Sequence, residues 1–223
     1  MRAFALVALL LPAVVASQEP AQQSSPAPDS TRQLQLRGAL AAYEAHRAKV
    51  RATIDKRLSD LGSREDAARS VGRDEFGLTE ANLMDPAAFA RGVQARKAMV
   101  LREDSSANGF LAAWSSNDPQ EARRALRWRL QHIVEFATLA DSAQVFAREL
   151  LTSAQRAEDH YKAEDNPSKP AAVRQFVKKS LDYYEKIIRM TRARISLYSD
   201  FAAMLRKEEE MLNERFAPLV AAP

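Results

Sequence analysis

Two long stretches of this chain, Gln120 to Asn166 and Ala171 to Ala217, contain neither glycine nor proline. In the first stretch, apolar and small residues recur at alternating spacings of four and three from Leu126 to Tyr161. This spacing places them on one face of an α-helix. Because the intervening Asn166 to Pro170 segment contains two prolines, the pattern predicts two very long helices folded back into an antiparallel hairpin.

The last helix, predicted from Pro170 to Phe216, is apolar at four of its seven heptad positions. These positions cover an arc of about 150°, which is wider than a two-stranded seam requires. We therefore expect this helix to touch at least two neighbours. One of its rows could be either core or, if exposed, a flexible apolar face that binds a partner. The candidate partner-binding residues of that row are Phe176, Tyr183, Met190, Met204 and Met211.

The pattern in the first half of the chain is less regular, and all six glycines fall at or before Gly109. Apolar residues from Arg32 to Leu61 predict an amphipathic helix that ends at Gly62, followed by a connector to Met84. Asp85 and Pro86 resemble a helix start, and this helix is expected to fade near Asp104.

A short apolar segment, Phe110 to Trp114, precedes a strong helix-start signal at Asp118 to Glu121. The signal combines a capping aspartate, a first-turn proline and a glutamate. Together, the patterns predict an all-α fold: an elongated helical bundle with coiled-coil packing, built on a long antiparallel helical hairpin. The predicted division is a signal peptide (1–16), a disordered linker (17–31), one helical bundle domain (32–217) and a flexible tail (218–223).

The N-terminus predicts export. An apolar run from Ala3 to Val15 follows Arg2 and ends in the small residues Val14 to Ala16, a pattern typical of signal-peptide cleavage before Ser17. About thirteen apolar residues are too few for a membrane span, which needs roughly twenty. We therefore expect a periplasmic or secreted protein with no transmembrane segment in the mature chain.

The composition of the chain excludes several kinds of metal and catalytic site. The chain has no cysteine, which excludes disulfides, thiolate metal sites and cysteine nucleophiles. Two of the three histidines follow a glutamate at a spacing of two, which puts the side chains about 200° apart on a helix. His132 and Glu135 are three apart, but this pairing occurs once, whereas di-iron bundles need it on two helices. We expect no metal and no cofactor.

Catalysis and nucleic-acid binding are also disfavoured. The sequence contains no Gly-x-Ser-x-Gly motif and no glycine-rich phosphate loop, so no catalytic residue is assigned. Four arginines, Arg123, Arg124, Arg127 and Arg129, surround Trp128 and could bind nucleic acid or anionic lipid. Ion pairing within the hairpin explains them better, because a turn at Pro167 would place Arg124 opposite Glu210. The same register predicts that Asp141 lies near Arg192 or Arg194.

One pentapeptide resembles a known motif. The segment Leu151 to Gln155 is similar to the Leu-Thr-x-x-Gln motif of small periplasmic stress chaperones and metal sensors, and Leu78 to Asn82 differs from it by one amide residue. In that family the threonine caps a helix, and a helical hairpin dimerises into a cradle. In this chain Thr152 lies within a continuous heptad pattern, so the resemblance assigns no site residues.

These observations favour a non-enzymatic extracytoplasmic scaffold or protein-interaction protein, with a protein partner or self-association. The alternative is a periplasmic holdase chaperone or a ligand or stress sensor that uses an exposed apolar helix face. Nucleic acid is not an expected partner, because export separates the protein from it.

Overall fold

The computed structural model describes residues 28–76, 86–116 and 118–221, and these residues are almost entirely helical. The elements are α1 (Pro28–Phe76), α2 (Pro86–Ser115), α3 (Pro119–Glu164), α4 (Ala171–Arg215) and the short α5 (Ala217–Ala221). No strand occurs in these ranges. The chain is therefore an all-α helical bundle, as the sequence predicts. The predicted signal peptide lies outside the described residues.

Helix α1 is much longer than the sequence pattern predicts. It begins at Pro28, inside the predicted linker, and it continues through Gly62 to Phe76 over 49 residues. Gly62 fails to end the helix because α1 packs against α4 on both sides of it, through the Arg57–Asp200 and Glu65–Arg194 ion pairs. Tertiary packing thus outweighs the weak helix propensity of one glycine.

Helix α2 is also longer than predicted. It runs without interruption from Pro86 to Ser115, so the predicted fade near Asp104 and the separate Phe110 segment are both wrong. The reason is burial: Glu103, Ala107 and Phe110 continue one buried stripe through the region. The remaining part of the predicted connector, residues 77–85, lies outside the described residues.

The start of α3 agrees with its sequence signal. The Asp118 side chain accepts hydrogen bonds from the backbone N–H groups of Gln120 (2.8 Å) and Glu121 (3.3 Å), and Pro119 occupies the first turn. Helix α3 then runs to Glu164, and α4 from Ala171 to Arg215, so the long hairpin is confirmed. The predicted flexible tail is instead helical up to Ala221, because Leu219 is buried against the bundle.

Neighbouring helices run antiparallel. Between α1 and α4, residues early in α1 pair with residues late in α4, and the reverse. Tyr43 donates to Glu208, and Glu75 forms an ion pair with Lys179. Between α1 and α2, the Arg47–Glu103 and Glu65–Arg96 pairs show the same opposition. Helix α4 packs against both α3 and α1, as its wide apolar arc predicts. The result is an up-and-down bundle whose central helices are about 70 Å long.

The predicted pairing of Asp141 with Arg192 or Arg194 is wrong. Asp141 forms its ion pair with Arg206, more than a heptad beyond Arg192 and Arg194 along α4. Arg194 instead binds Glu65 of α1, with 2.8 Å between the nitrogen and the carboxylate oxygen. The turn position alone did not predict these partners, because Arg194 pairs with a buried carboxylate of α1, a helix that the hairpin pattern does not include.

Candidate functional site

The predicted partner-binding row lies mostly inside the bundle. Met190 is buried, while Met204 and Met211 are partly buried and pack against the core. Tyr183 is intermediate in exposure, and Phe176, close to the hairpin turn, is exposed. The structure therefore does not bring these five residues together as one exposed face, and most of the row serves as core.

Exposed apolar surface is concentrated on α3 instead. Helix α3 carries five of the nine strongly exposed large apolar residues in the described part of the chain. Four of them lie outside its buried stripe, Val134 and Val145 on one flank of the exposed side and Leu139 and Phe146 on the other. We call this exposed side the outer face. Val145 is 57% exposed and Phe146 is 63% exposed, the latter more than any other phenylalanine in this group. Single exposed apolar residues are common, but a group along one helix is a feature of binding surfaces.

The outer face also has few charges. Between Val134 and Phe146 the sequence contains two charged residues, Glu135 and Asp141, and their carboxylates pair with Arg102 of α2 and Arg206 of α4. Two small polar residues, Thr138 and Ser142, use their hydroxyls to donate to carbonyl oxygens one turn earlier in α3. The exposed side of an isolated surface helix is normally charged. This low charge density is the sequence signal that could have located the outer face.

A second unusual feature is a group of buried charges, which we call the charge cluster: Arg47, Glu103, Arg129 and Glu208. Each residue comes from a different one of the four long helices, and Arg129 and Glu208 are both 0% exposed. Two positive and two negative charges balance. Burying an ion is costly unless it is paired and hydrogen-bonded, and this arrangement meets that condition.

The geometry of the charge cluster is dense. Arg47 binds both carboxylate oxygens of Glu103 at 2.7 Å, and it also reaches Glu208 at 3.2 Å. Arg129 donates from Nε to Glu208 at 2.7 Å, and its Nη2 donates to Glu103. At the edge of the cluster, Asp104 accepts from Arg47 at 2.8 Å. Each helix thus supplies a charge that is neutralised by charges on other helices.

Two further polar side chains of α1 adjoin the charge cluster. The Tyr43 hydroxyl donates to Glu208 at 2.6 Å, and burial together with the negative charge of Glu208 raises the pKa of Tyr43. The Nε2 atom of His46 lies 3.9 Å from Glu208 and has no hydrogen-bond partner. Burial lowers the pKa of His46 from its ordinary value of 6.5, because the charged imidazolium is poorly solvated there.

The sequence did not reveal the charge cluster. In the sequence, Arg47 interrupts the apolar stripe of α1, and Glu208 stands in a run of three glutamates, so neither pattern marks a core position. In the structure Arg123 and Arg127 are exposed, while Glu208 is buried beside Arg129. The sequence signal was one charged residue at a core position of each long helix. It identifies a cluster only when the fold brings these four residues together.

The remaining sequence candidates form no common site. His46 is buried, His132 bonds the Trp128 carbonyl at 2.9 Å, and His160 is exposed near the hairpin turn. Within the described residues, no group of three or more histidine, aspartate or glutamate side chains could hold a metal ion. Thr152 is inside α3 and donates to the Arg148 carbonyl, so it does not cap a helix as in the family that its pentapeptide resembles.

Comparisons with known proteins add no relative. No protein-family model matches the chain, and neither a curated protein nor a solved structure shows significant similarity to it. Among the described helices, none has the length and hydropathy needed to cross a membrane.

Proposed function

We propose that this chain is a non-enzymatic, exported helical scaffold that binds a protein partner through the outer face of α3. The observation that carries the proposal is the group of exposed apolar residues at Val134, Leu139, Val145 and Phe146. Apolar side chains on a surface with few charges are typical of the centre of a protein interface. The proposed export rests on the N-terminal sequence pattern alone.

The charge cluster supports the scaffold part of the proposal. Its four charges are paired with one another and are at most 8% exposed, so they are poorly placed to meet a substrate. Charges in that position can fix how four helices align, a role attested for buried polar groups in helical assemblies. A bundle with a defined alignment presents its outer surface in one fixed shape.

The placement of the methionine row weighs against the holdase alternative. A holdase would need a broad, adaptable apolar face, whereas Met190 is buried and Met204 and Met211 pack against the core. The outer face of α3 contains no methionine between Phe136 and Ala147. A surface of this kind suits one defined partner better than many unfolded clients.

The test is site-specific photo-crosslinking in the cell envelope. A photoreactive phenylalanine analogue at position 146 should capture one defined protein, and the same analogue at Ala203, an exposed position on α4, should not. The substitution Phe146→Glu should abolish partner recovery, while Ala203→Glu, which makes the same charge change, should preserve it. Because both positions are exposed, stability should change by less than about 0.5 kcal/mol in either variant.

The crosslinked product separates the alternatives. One partner, or a second copy of this chain, agrees with an interaction protein. Many unrelated unfolded proteins would favour the holdase instead. Capture at position 203 equal to that at position 146 would contradict a binding surface on the outer face.

A further inference from the structure

Helix α3 carries three neighbouring arginines near its start, on the side that faces away from the bundle. Arg123, Arg124 and Arg127 are all exposed. Arg127 follows the other two by four and three residues, so the three side chains are neighbours on the helix surface. Across the described ranges 28–76, 86–116 and 118–221, none of them forms an ion pair with a carboxylate, not even Arg124 with Glu210, its predicted partner. We call these three arginines the basic patch.

Trp128 joins the basic patch to the outer face. It is 46% exposed, and Leu139 and Phe146 follow it by eleven and eighteen residues. At 3.6 residues per turn these separations are about three and five complete turns, so the three side chains lie in one straight line along α3. The line, which we call the Trp128 row, is about 27 Å long. Positive charge and exposed apolar surface are therefore continuous on this side of the helix.

The Trp128 side chain is held in place by its neighbours. Its ring lies against that of His132, with the two centroids 4.1 Å apart. The ring also reaches α2, because a Cβ atom added at Gly109 would lie 3.9 Å from its Cζ3 atom. A ring that is already ordered loses little entropy when a partner covers it. Tryptophan and arginine are also the residues most enriched at the energetic centres of protein interfaces.

The number of arginines decides between the partners that a basic surface can bind. Clusters that bind anionic membranes contain about four to eight lysines or arginines, and strong DNA binding uses on the order of six to ten phosphate contacts. The three arginines of the basic patch fall short of both. A protein segment needs fewer charges, because it can place carboxylates against the basic patch and apolar side chains against the Trp128 row.

We propose that the partner docks on α3 through an acidic amphipathic helix. This inference rests on the proposed interaction function and specifies the chemistry of the partner. The apolar stripe of the partner helix covers the Trp128 row, as a neighbouring helix does within a bundle. Its acidic end lies at the start of α3, where the arginines donate to its carboxylates. A row of about 27 Å corresponds to about eighteen residues, or five turns, of the partner helix.

Photo-crosslinking of the full chain at two positions tests the chemistry of the partner. One variant carries a photoreactive phenylalanine analogue at position 128, a second carries it at position 146, and peptide mapping identifies what each captures in the cell envelope. Both positions should capture one helical segment of the same protein. The peptide captured from position 128 should be rich in aspartate and glutamate, and a peptide without such an excess would overturn the proposal.

Charge reversal at the basic patch is the second measurement, with capture from position 146 as the readout. Arg124→Glu should lower the yield at least about tenfold, because like charges that face each other across an interface repel. Arg156→Glu makes the same change at an exposed arginine farther along α3 and should leave the yield unchanged. A glutamate near a helix start is favourable, so both variants should keep the native urea unfolding midpoint.

A compensating change in the partner completes the test. Lysine in place of the partner carboxylate that faces position 124 should restore capture by Arg124→Glu and weaken capture by the native sequence. Raising the ionic strength from about 0.05 M to about 0.5 M should lower the yield of the native chain more than that of Arg124→Glu, because salt screens exposed charges.

Three results would overturn the acidic helix. They are equal capture by Arg124→Glu and the native sequence, lipid or nucleic acid crosslinked at position 128 in place of protein, and a crosslink to this chain itself or to a second copy. If position 146 still captures one partner while Arg124→Glu has no effect, the acidic helix is wrong and the proposed interaction function stands. If neither position captures a protein, the proposed function itself fails.

Discussion

At the scale of single residues, the charge cluster shows how much the meaning of a side chain depends on its neighbours. Removing an ion from water costs several kcal/mol even after relaxation, and only close pairing offsets that cost. Arg129 reaches two carboxylates from two different helices, Glu103 of α2 and Glu208 of α4. The cluster is therefore sensitive to the loss of any one member, although an apolar core of the same shape could be equally stable.

The first prediction concerns Arg129→Met. Loss of the guanidinium leaves a buried excess of negative charge, and we expect the free energy of unfolding to fall by about 3–5 kcal/mol, as measured in urea. Arg206→Met removes an exposed ion pair with Asp141 and should cost at most about 1 kcal/mol. The double variant Arg129→Met with Glu208→Met removes one charge of each sign and so restores the charge balance. Its loss of stability should be smaller than the sum of the losses in the two single variants. Equal costs at positions 129 and 206 would contradict the burial argument.

The second prediction concerns pH and His46. Its pKa in the folded state is lowered below the ordinary 6.5 by burial, which outweighs the opposing attraction of Glu208; Arg47 and Lys207 act in the same direction as burial. The unfolded chain thus binds a proton more readily than the folded chain. Stability from this group is complete above about pH 6.5 and is lost as the pH falls towards the lowered value.

The variant His46→Gln isolates that contribution. Urea unfolding midpoints of the native sequence should decrease between about pH 7 and pH 5 more steeply than those of the variant. Both proteins contain the same carboxylates, so the difference between the two slopes reports the loss of His46. Parallel slopes would show that His46 does not carry this pH dependence.

At the scale of helices, the sequence predicted starts better than ends. Asp118 and Pro119 located the beginning of α3 because capping is a local interaction among adjacent residues. The prediction that α1 ends at Gly62 was wrong because the stability of that helix comes from packing against α4, which is remote in sequence. The same reasoning explains α2, which continues past the predicted fade near Asp104 because Glu103 and Phe110 are buried within the bundle. Local signals predicted the start of α3 and both hairpin helices, whereas the lengths of α1 and α2 depend on tertiary contacts.

The third prediction follows from Gly62. A Cβ atom added at this position meets nothing within 4 Å, and no left-handed backbone is found there. Gly62→Ala should therefore stabilise the protein by about 0.5–1 kcal/mol by reducing the freedom of the unfolded chain and improving helix propensity. Gly38→Ala, with equally open surroundings, is the matched comparison. A marked loss of stability in Gly62→Ala would instead indicate that α1 ends at this glycine.

At the scale of the whole molecule, the antiparallel hairpin and the all-α class were predictable, while the ion-pair partners of Asp141 and Arg194 and the candidate site were not. Periodicity reports which face of a helix is apolar, but it cannot tell core from exposed surface when four positions of the heptad are apolar. Phe176 and Met190 belong to one row, yet the first is exposed and the second is buried. The outer face of α3 was overlooked because Val134, Leu139, Val145 and Phe146 fall outside its main stripe.

The bond between Arg32 and the Leu219 carbonyl, 2.8 Å long, has a topological consequence. It brings the beginning of α1 and the end of α5 to the same point, so the order in which the helices are joined can be changed without moving them. A circular permutant that starts at Lys169, ends at Ser168 and joins Val220 to Pro28 through a short glycine–serine linker should keep native helicity and a single cooperative melting transition. Circular dichroism and calorimetry would show this, and a permutant that fails to fold would mean that the 166–169 turn is needed to assemble the bundle.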